Sequence, residues 1–362
     1  MVVAVAQCVV PTDDLQADIP FFTKTLKMRM DTIYPADDPK VAVFSGHGIS
    51  ICIDKDAQGS PANINLLVDK PEKFASGRIE LTAPNGTHFR VLQKNPPLIL
   101  PETQHEFVVR RLVDQAPWII GRAGMHYRDL IPNRLGGSII ASHIRIPDGG
   151  PVPDTVHYHS VGFQLIFCYK GWVDLVYEDQ GEPFRLFAGN CVIQPPEIRH
   201  KVLYASDNIE VIEIGVPAEH VTTIDHVMEL PTKEFNPERE FKGQKFVHNR
   251  AEASTWSDFR IPGFTCRDTT IAKNTRNVAG VQVVKPNGAK IKPSSHNCDI
   301  LFNFVMEGNM TLTASEQRPN ELTSGDAFVI PPNILTEYSN VSADLELLEV
   351  SLPGEFTTYY DT

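Results

Sequence analysis

Short apolar runs, separated by turns rich in glycine and proline, follow one another along most of this chain of 362 residues. Runs of this length that carry valine, isoleucine, phenylalanine and tyrosine are typical of β-strands. A helical spacing of apolar residues occurs near the N-terminus. The pattern therefore predicts a mainly β protein, in which a small α+β module precedes two β-barrels.

The first 95 residues stand apart as this α+β module. A strand over Val2–Val10 is followed by a helix that Thr12 or Asp13 can cap, and its apolar positions are Leu15, Ile19, Phe22 and Leu26. Five strand-like runs come next: VAVFSG, GISICID, NINLLV, GRIELTAP and THFRVL. The pair Asn85-Gly86 between the last two predicts a tight hairpin. The order is thus β-α-β-β-β with a terminal hairpin.

The remainder of the chain contains an internal repeat. Residues 149–219 match 286–355 at an almost constant offset, and MHYRDLIPNRLGG before the first copy echoes FTCRDTTIAKNTRN before the second. A proline-rich bridge over 94–104 and a charged linker over 219–250 flank the first copy. We therefore predict three domains, of which the last two are β-barrels of one kind. Their bounds are 1–95, 104–225 and 246–362.

Four residues of the first copy can bind a metal: His157, His159, Gln164 and His200. The first two histidines are two positions apart, so on a strand both side chains point to the same face. Neutral imidazole suits iron, manganese, nickel, copper and zinc, and the Gln164 amide oxygen is a hard, neutral donor. This set predicts a divalent metal site in the first barrel.

The second copy has lost most of this set. Three of the four positions are occupied by Ser294, Leu301 and Thr336, and His296 alone is retained. One imidazole does not make a divalent site of the usual four ligands. We therefore predict one metal per chain and a second barrel that is structural, supporting the first barrel or a homodimer.

The two blocks that carry the ligands, 157–171 and 189–200, resemble the two signature motifs of the cupin superfamily. Cupins are β-barrels of the jelly-roll or double-stranded β-helix kind that hold a metal in their mouths. The usual first motif has Glu where this chain has Gln164, and the usual second motif has Gly where it has Glu197. The resemblance implies a bicupin with Fe(II), and Mn, Ni, Cu and Zn are the alternatives.

The β-α-β-β-β order of residues 1–95 resembles one module of the glyoxalase/bleomycin-resistance (vicinal oxygen chelate) family, with a shortened second half. That family commonly places one metal ligand on its first strand, where Gln7 stands here. Its other usual ligand is a Glu on the last strand, where Arg90 stands. We therefore expect this module to bind no metal and to pack against the barrels.

Composition narrows the class of partner. A net charge of −12 argues against nucleic acid and against anionic membrane surfaces. No apolar run is long enough to span a bilayer, and the apolar N-terminus lacks the basic region and cleavage site of a signal peptide. Six scattered cysteines without a C-x-x-C pair favour core residues over a disulfide framework. We expect a cytoplasmic protein that acts on a small molecule.

The neutrality of Gln164 changes the charge of the predicted centre. Three neutral imidazoles and an amide leave a divalent metal at +2, whereas the usual Glu would reduce this charge to +1. The centre should therefore favour a small anionic substrate. Alternation along the strands surrounds it with mostly apolar side chains: Ile166, Cys168, Val202 and Tyr204.

Catalytic candidates come from strands next to the metal ligands. The run ASHIRI places His143 and Arg145 on one face, and alternation along its own strand turns Tyr204 toward the metal. We take these three as the catalytic candidates. Glu213 recurs as Glu349 in the second copy, so it is as readily architectural as catalytic.

Three functions fit these observations. The first, suggested by the bicupin resemblance, is a non-haem Fe(II) dioxygenase that acts on a small anionic phenol, enol or diketone. The second is a redox-neutral isomerase, lyase or hydrolase of a small carboxylate or carbonyl compound, in which the metal is a Lewis acid. The third is a non-enzymatic bicupin that binds a metabolite. Fold does not decide among them.

Overall fold

The structure is a computed structural model that describes residues 4–114, 117–121 and 124–360. It separates two compact units, Met1–Pro97 and Leu98–Thr362. Strands dominate both units, which confirms the predicted mainly β fold. Among the helices in these described ranges, none has the length and apolarity needed to cross a membrane.

The first unit is an α+β module. Its helix α1 (Leu15–Pro20) continues into a π-helical turn at Phe21–Thr25, and a 3₁₀ turn lies at Pro71–Gly77. The strands are β1 (Gln7–Pro11), β2 (Arg29–Tyr34), β3 (Val41–Gly46), β4 (Ile49–Asp54), β5 (Asn63–Val68), β6 (Glu80–Thr82) and β7 (His88–Gln93). They form two sheets, with the orders β1-β4-β3-β2 and β5-β7-β6.

Three details of this unit differ from the sequence prediction. The helix is capped by Asp14, not by Thr12 or Asp13, because the Asp14 carboxylate accepts hydrogen bonds from two backbone N–H groups of the first turn. The strand β2 was not predicted, since nearly all of its residues are exposed and no apolar alternation marks it. The strand predicted over Val2–Val10 begins at Gln7, and its positions 2 and 3 lie outside the described residues.

The second unit contains two barrels with the same strand order, as the repeat predicts. The strand β8 (Val108–Arg110) precedes the first barrel. The strands of that barrel are β9 (Ile119–Ile120), β10 (His126–Asp129), β11 (Ile140–Ile146), β12 (Gly150–Pro151), β13 (His157–His159), β14 (Phe163–Lys170), β15 (Trp172–Tyr177), β16 (Phe184–Phe187), β17 (Cys191–Ile193), β18 (His200–Ala205), β19 (Ile209–Val216) and β20 (Thr222–Ile224).

Three short strands connect the barrels: β21 (Glu240–Phe241), β22 (Gln244–Lys245) and β23 (Val247–Asn249). The second barrel also contains a short helix, α2 (Ile271–Asn274). Its strands are β24 (Trp256–Asp258), β25 (Phe264–Asp268), β26 (Gly280–Pro286), β27 (Ser294–His296), β28 (Ile300–Glu307), β29 (Asn309–Ala314), β30 (Asn320–Thr323), β31 (Ala327–Ile330), β32 (Thr336–Ser339), β33 (Glu346–Leu352) and β34 (Thr358–Tyr360).

Each barrel consists of a larger and a smaller sheet. In the first barrel their orders are β23-β17-β14-β19-β11-β10-β9 and β16-β15-β18-β13-β20. In the second they are β24-β25-β26-β33-β28-β31-β8 and β30-β29-β32-β27-β34. One hydrophobic core contains side chains from the larger sheets of both barrels, such as Phe163, Phe167, Phe302 and Phe304. Two further cores fill the barrel interiors.

The barrels also exchange strands. The strand β8, which precedes the first barrel, pairs with β31 of the second, and β23, which precedes the second barrel, pairs with β17 of the first. Two arginines of the repeated Arg-Asp pair reinforce the exchange. Arg128 donates a hydrogen bond to the carbonyl of Gly325 in the second barrel, and Arg267 donates one to the carbonyl of Gly189 in the first. The arginine of the repeated Arg-Asp pair thus joins the barrels.

Arg128 is fully buried, and burial lowers the pKa of its guanidinium to about 10. Arg128→Ala should lower the free energy of unfolding by about 3 kcal/mol, because it leaves a cavity and a buried Gly325 carbonyl without its donor. Urea denaturation of the full chain measures this loss. The control Arg276→Ala removes an exposed arginine that pairs with Glu240, and should change the value by about 0.5 kcal/mol. Equal losses would contradict the role assigned to Arg128.

Candidate metal centre

Adjacent strands of the smaller sheet bring three histidines together inside the first barrel. His157 and His159 lie on β13, and His200 begins β18, directly opposite His157 in the antiparallel register. The turn at Pro195-Pro196 lies just before His200. All three side chains point into the barrel, where their residues are 0%, 8% and 2% exposed.

The three imidazoles form a cluster suited to a metal ion. One ring nitrogen from each lies within 4.8 Å of the others. The Nδ1 atoms of His157 and His200 lie 2.7 and 3.0 Å from the backbone carbonyl oxygens two residues earlier in the chain. A carbonyl only accepts, so Nδ1 carries the hydrogen and Nε2 has the lone pair that a metal needs.

The third imidazole is also held from outside the cluster. His159 Nδ1 lies 2.9 Å from the hydroxyl of Thr222, on the neighbouring strand β20. A carboxylate oxygen of Asp154 lies 3.6 Å from His157 Nδ1. Hydrogen bonds of this kind fix the ring orientation and the tautomer of histidines that bind metals. The residues present therefore fit a divalent metal.

Gln164, the fourth predicted ligand, is tied to a carboxylate. Its Nε2 donates a hydrogen bond of 2.7 Å to Glu213 Oε1 on β19. Because only the amide nitrogen can donate, Oε1 of Gln164 points away from Glu213, and this buried oxygen has no hydrogen-bond partner. A neutral oxygen donor of this kind fits a hard divalent cation. Gln164 itself does not line the cavity next to the histidines, whereas Glu213 does.

A cavity of about 80 Å³ adjoins the three imidazoles. Nine apolar side chains make up most of its wall, among them Ile144, Ile166 and Val202. The other polar or aromatic side chains that line it are Tyr127, Gln194 and Glu213. An apolar wall with a few polar groups is the usual form of a small-molecule site.

The internal repeat held a signal for two of these residues that the sequence reasoning missed. Tyr127 is replaced by Cys266 in the second copy, and Gln194 by Ile330, just as His157 and His200 are replaced. Glu213 had the opposite signal, because it is retained as Glu349. Comparison of the copies therefore identifies Tyr127 and Gln194 as candidate site residues. It does not identify Glu213, because this residue is the same in both copies.

None of the three catalytic candidates lines the cavity. Ile144 and Ile146 of β11 do, so the intervening Arg145 and the neighbouring His143 lie on the opposite face of that strand. His143 is buried beside Phe304 of the second barrel and hydrogen-bonds Glu210 at 2.7 Å. Arg145 donates to Asn208.

Tyr204 is turned outward by a β-bulge. Asp174 pairs with Tyr204 but the next residue, Leu175, pairs with Val202, so Leu203 is an extra residue in β18. Val202 consequently points into the cavity, while Tyr204 is 42% exposed and stacks on Trp172. Simple alternation along β18 could not predict this reversal. Cys168, expected beside Ile166, is buried in the barrel core and does not line the cavity.

The second barrel has a different interior. Across the described ranges, the cluster of three histidines in the first barrel is the one group of histidine, cysteine or acidic side chains close enough to hold a metal. Glu349 instead binds Arg260 through two hydrogen bonds, with nitrogen–oxygen distances of 3.1 and 2.5 Å. This ion pair lies in the interior of the second barrel, where Arg260 contributes a cation.

No protein-family model matches the chain, and no curated protein matches it in sequence. Solved structures do resemble it. A salicylate 1,2-dioxygenase variant from Pseudoaminobacter salicylatoxidans in complex with gentisate has a TM-score of 0.53 and 16% identity, over 73% of this chain and 88% of that chain. An oxalate decarboxylase–formate complex from Lactobacillus farciminis has a TM-score of 0.52 and 14% identity, over 72% and 91%. Protein YlbA from E. coli has a TM-score of 0.50 and 11% identity, over 71% and 94%.

These neighbours are bicupins, and the chain shares their fold. Identities this low establish the fold alone. They give no support to the glyoxalase-like resemblance of the first unit, which stays a prediction together with its lack of metal. The homodimer, the cytoplasmic location and the domain bounds inside the second unit also stay predictions.

We predict one divalent metal per chain. Replacing both His157 and His159 by Ala should abolish metal binding, because it removes two of the three clustered imidazoles. The control is His296→Ala, which removes the corresponding histidine of the second barrel and should leave the metal content unchanged. Elemental analysis of the purified variants measures this. Two metals per chain, or a metal retained by the double variant, would contradict the prediction.

Gln164→Glu should destabilise the metal-free protein, because it replaces the donor to Glu213 by a second carboxylate. Two charges about 4 Å apart repel by about 4 kcal/mol at an effective dielectric constant of about 20, and proton uptake relieves part of this, so we expect a loss of about 2 kcal/mol. Added metal should reverse it, since a carboxylate is the stronger ligand.

Urea denaturation with and without Zn²⁺ measures both effects of Gln164→Glu. The control Gln164→Leu introduces the residue of the second barrel, which removes the donor without adding a charge. If the Leu and Glu variants lost equal stability, and neither recovered with metal, charge repulsion would not be the cause.

Proposed function

We propose that this chain is a metal-dependent enzyme, a non-haem Fe(II) dioxygenase that acts on a small anionic enol, diketone or phenol. The observation that carries the proposal is the cluster of three buried imidazoles whose outer nitrogens are already held. The ring nitrogens on the side that faces the cavity can therefore bind a metal. The solved dioxygenase with the same fold supports it by analogy only.

The ligand set suits this chemistry. The three histidines would hold the iron and leave open positions for the substrate and for O₂. When bound, iron would supply the site for O₂ and the positive charge that holds an anionic substrate oxygen. The protein would hold the imidazoles in one orientation and exclude water by the apolar wall.

The size of the cavity favours the smaller substrates. Its volume of about 80 Å³ is roughly half of the 150 Å³ of an engineered cavity that binds benzene. An enol or a diketone with a short carbon skeleton therefore fits the cavity better than a phenol. The nine apolar side chains suit an apolar body attached to the anionic group.

A redox-neutral reaction is the second candidate, and one specific observation favours it. Glu213 and Tyr127, both able to take part in proton transfer, line the cavity beside the imidazoles. A lyase or isomerase of a small carboxylate needs such groups, and a decarboxylase is among the proteins with the same fold. The two candidates differ in whether O₂ is consumed.

Oxygen uptake separates the two functions. Protein loaded anaerobically with Fe(II) should consume O₂ when a short-chain β-diketone or an enolisable keto acid is added, and His200→Ala should not. An oxygen electrode measures the rate, and mass spectrometry of the products shows whether oxygen atoms are incorporated. Product formation without O₂ uptake would support the redox-neutral candidate. Neither product nor uptake across the panel, with iron bound, would contradict both.

A further inference from the structure

A carboxylate inside the first barrel faces the same cavity as the three imidazoles. Glu213 lies on β19 opposite Ile166 of β14 and Ser142 of β11, in the middle of the larger sheet. Its carboxylate lines the cavity but is not part of the histidine cluster. A ligand bound at the cluster would therefore present one of its groups to Glu213.

Gln164 holds this carboxylate in one orientation. The donation from Nε2 of Gln164 fixes Glu213 Oε1 at 2.7 Å. With a Glu at position 164, two carboxylates would stand side by side and repel each other. Because Gln164 is neutral and donates a hydrogen bond, it stabilises a carboxylate at position 213. Glu213 Oε2 is the second acceptor oxygen of the group.

The second barrel has a carboxylate at the corresponding position, Glu349, and its partner is an arginine. Glu349 occupies the same register, opposite Asn303 and Gln282, and it accepts two hydrogen bonds from the guanidinium of Arg260. Leu301 stands at the position of Gln164 there. In the second copy, then, the chain itself supplies the hydrogen-bond donor to the carboxylate within the barrel.

We propose that Glu213 is a specificity-determining residue that accepts a hydrogen bond from a hydroxyl group of the substrate. The anionic oxygen of that substrate binds at the three-histidine centre. The substrate class is thus a compact hydroxy acid or the enol form of a keto acid. This inference rests on the proposed metal-dependent function, and it adds that a second anionic group is rejected. Glu213 repels such a group, whereas a hydroxyl donates to it.

Three acids of two carbons test the proposal: acetate, glycolate and oxalate. They share one carboxylate and differ in the second group, which is a methyl group, a hydroxyl donor or another anion. Their binding to the full chain loaded with one Co(II) is measured by calorimetric titration and by the Co(II) absorption spectrum. Glycolate also chelates metals better than acetate does, so the decisive quantity is the change in the glycolate-to-acetate affinity ratio between variants.

Glu213→Gln is the main variant. The Gln oxygen can still accept from Gln164, but the other end of the group becomes a donor and no longer accepts from a hydroxyl. The glycolate-to-acetate ratio should fall by about ten- to a hundred-fold, and oxalate should bind more tightly than to the wild type. The control Glu197→Gln removes a charge outside the cavity, from a residue paired with Lys242, and should leave the ratio unchanged.

Gln164→Leu provides a second variant if Glu213→Gln does not fold. It removes the hydrogen bond that orients the carboxylate, so the ratio should fall, though by less. An unchanged ratio in whichever variant folds overturns the role of Glu213 and leaves the metal centre intact. Failure of the wild-type protein to bind Co(II) overturns the proposed function, and this inference with it.

Discussion

The reciprocal exchange between the two barrels is the constraint on which the rest of the second unit depends. Each barrel has its larger sheet extended by the strand that precedes the other barrel, and each donates a buried arginine, Arg128 or Arg267, to a glycine carbonyl of the other. The larger sheets share one core. A buried guanidinium loses its hydration, so its hydrogen bonds must be made in the folded state. The strand β14, which carries Gln164, lies between β17 and β19 in one of these sheets.

Within one scaffold, the two barrels place different groups around the same carboxylate position. In the second barrel, Arg260 binds Glu349 by two hydrogen bonds in the interior. In the first barrel, Glu213 accepts from Gln164 and faces a cavity that is also lined by three imidazoles. A buried carboxylate requires hydrogen bonds and charge compensation. For the buried Glu349, Arg260 supplies both. The half-buried Glu213 accepts from Gln164 and, in our proposal, faces the ligand.

This arrangement changes the charge balance expected for the metal centre. The sequence predicted four neutral ligands, because Gln164 replaces the usual Glu. Such ligands would leave the metal with its full charge of +2. In the structure a carboxylate is present nearby, on the adjacent strand, and Gln164 holds it. The negative charge thus lies on the wall of the cavity, at Glu213, and not at position 164, where the usual motif has a Glu. There it acts on the substrate as well as on the metal, and it favours a substrate that combines one anionic oxygen with a hydrogen-bond donor.

The sequence by itself determined the mainly β fold, the repeat of two barrels and the three histidines, because these follow from local patterns. Alternation predicts strands, a constant offset reveals the repeat, and two histidines at positions 157 and 159 share a face whatever surrounds them. Only the tertiary structure decided which other side chains reach the cavity. The bulge in β18 turns Tyr204 outward, and the pairing of β14 with β19 brings Glu213 to Gln164, 49 residues away in the chain. Strand register and bulges depend on long-range pairing, which residue spacing along one strand does not specify.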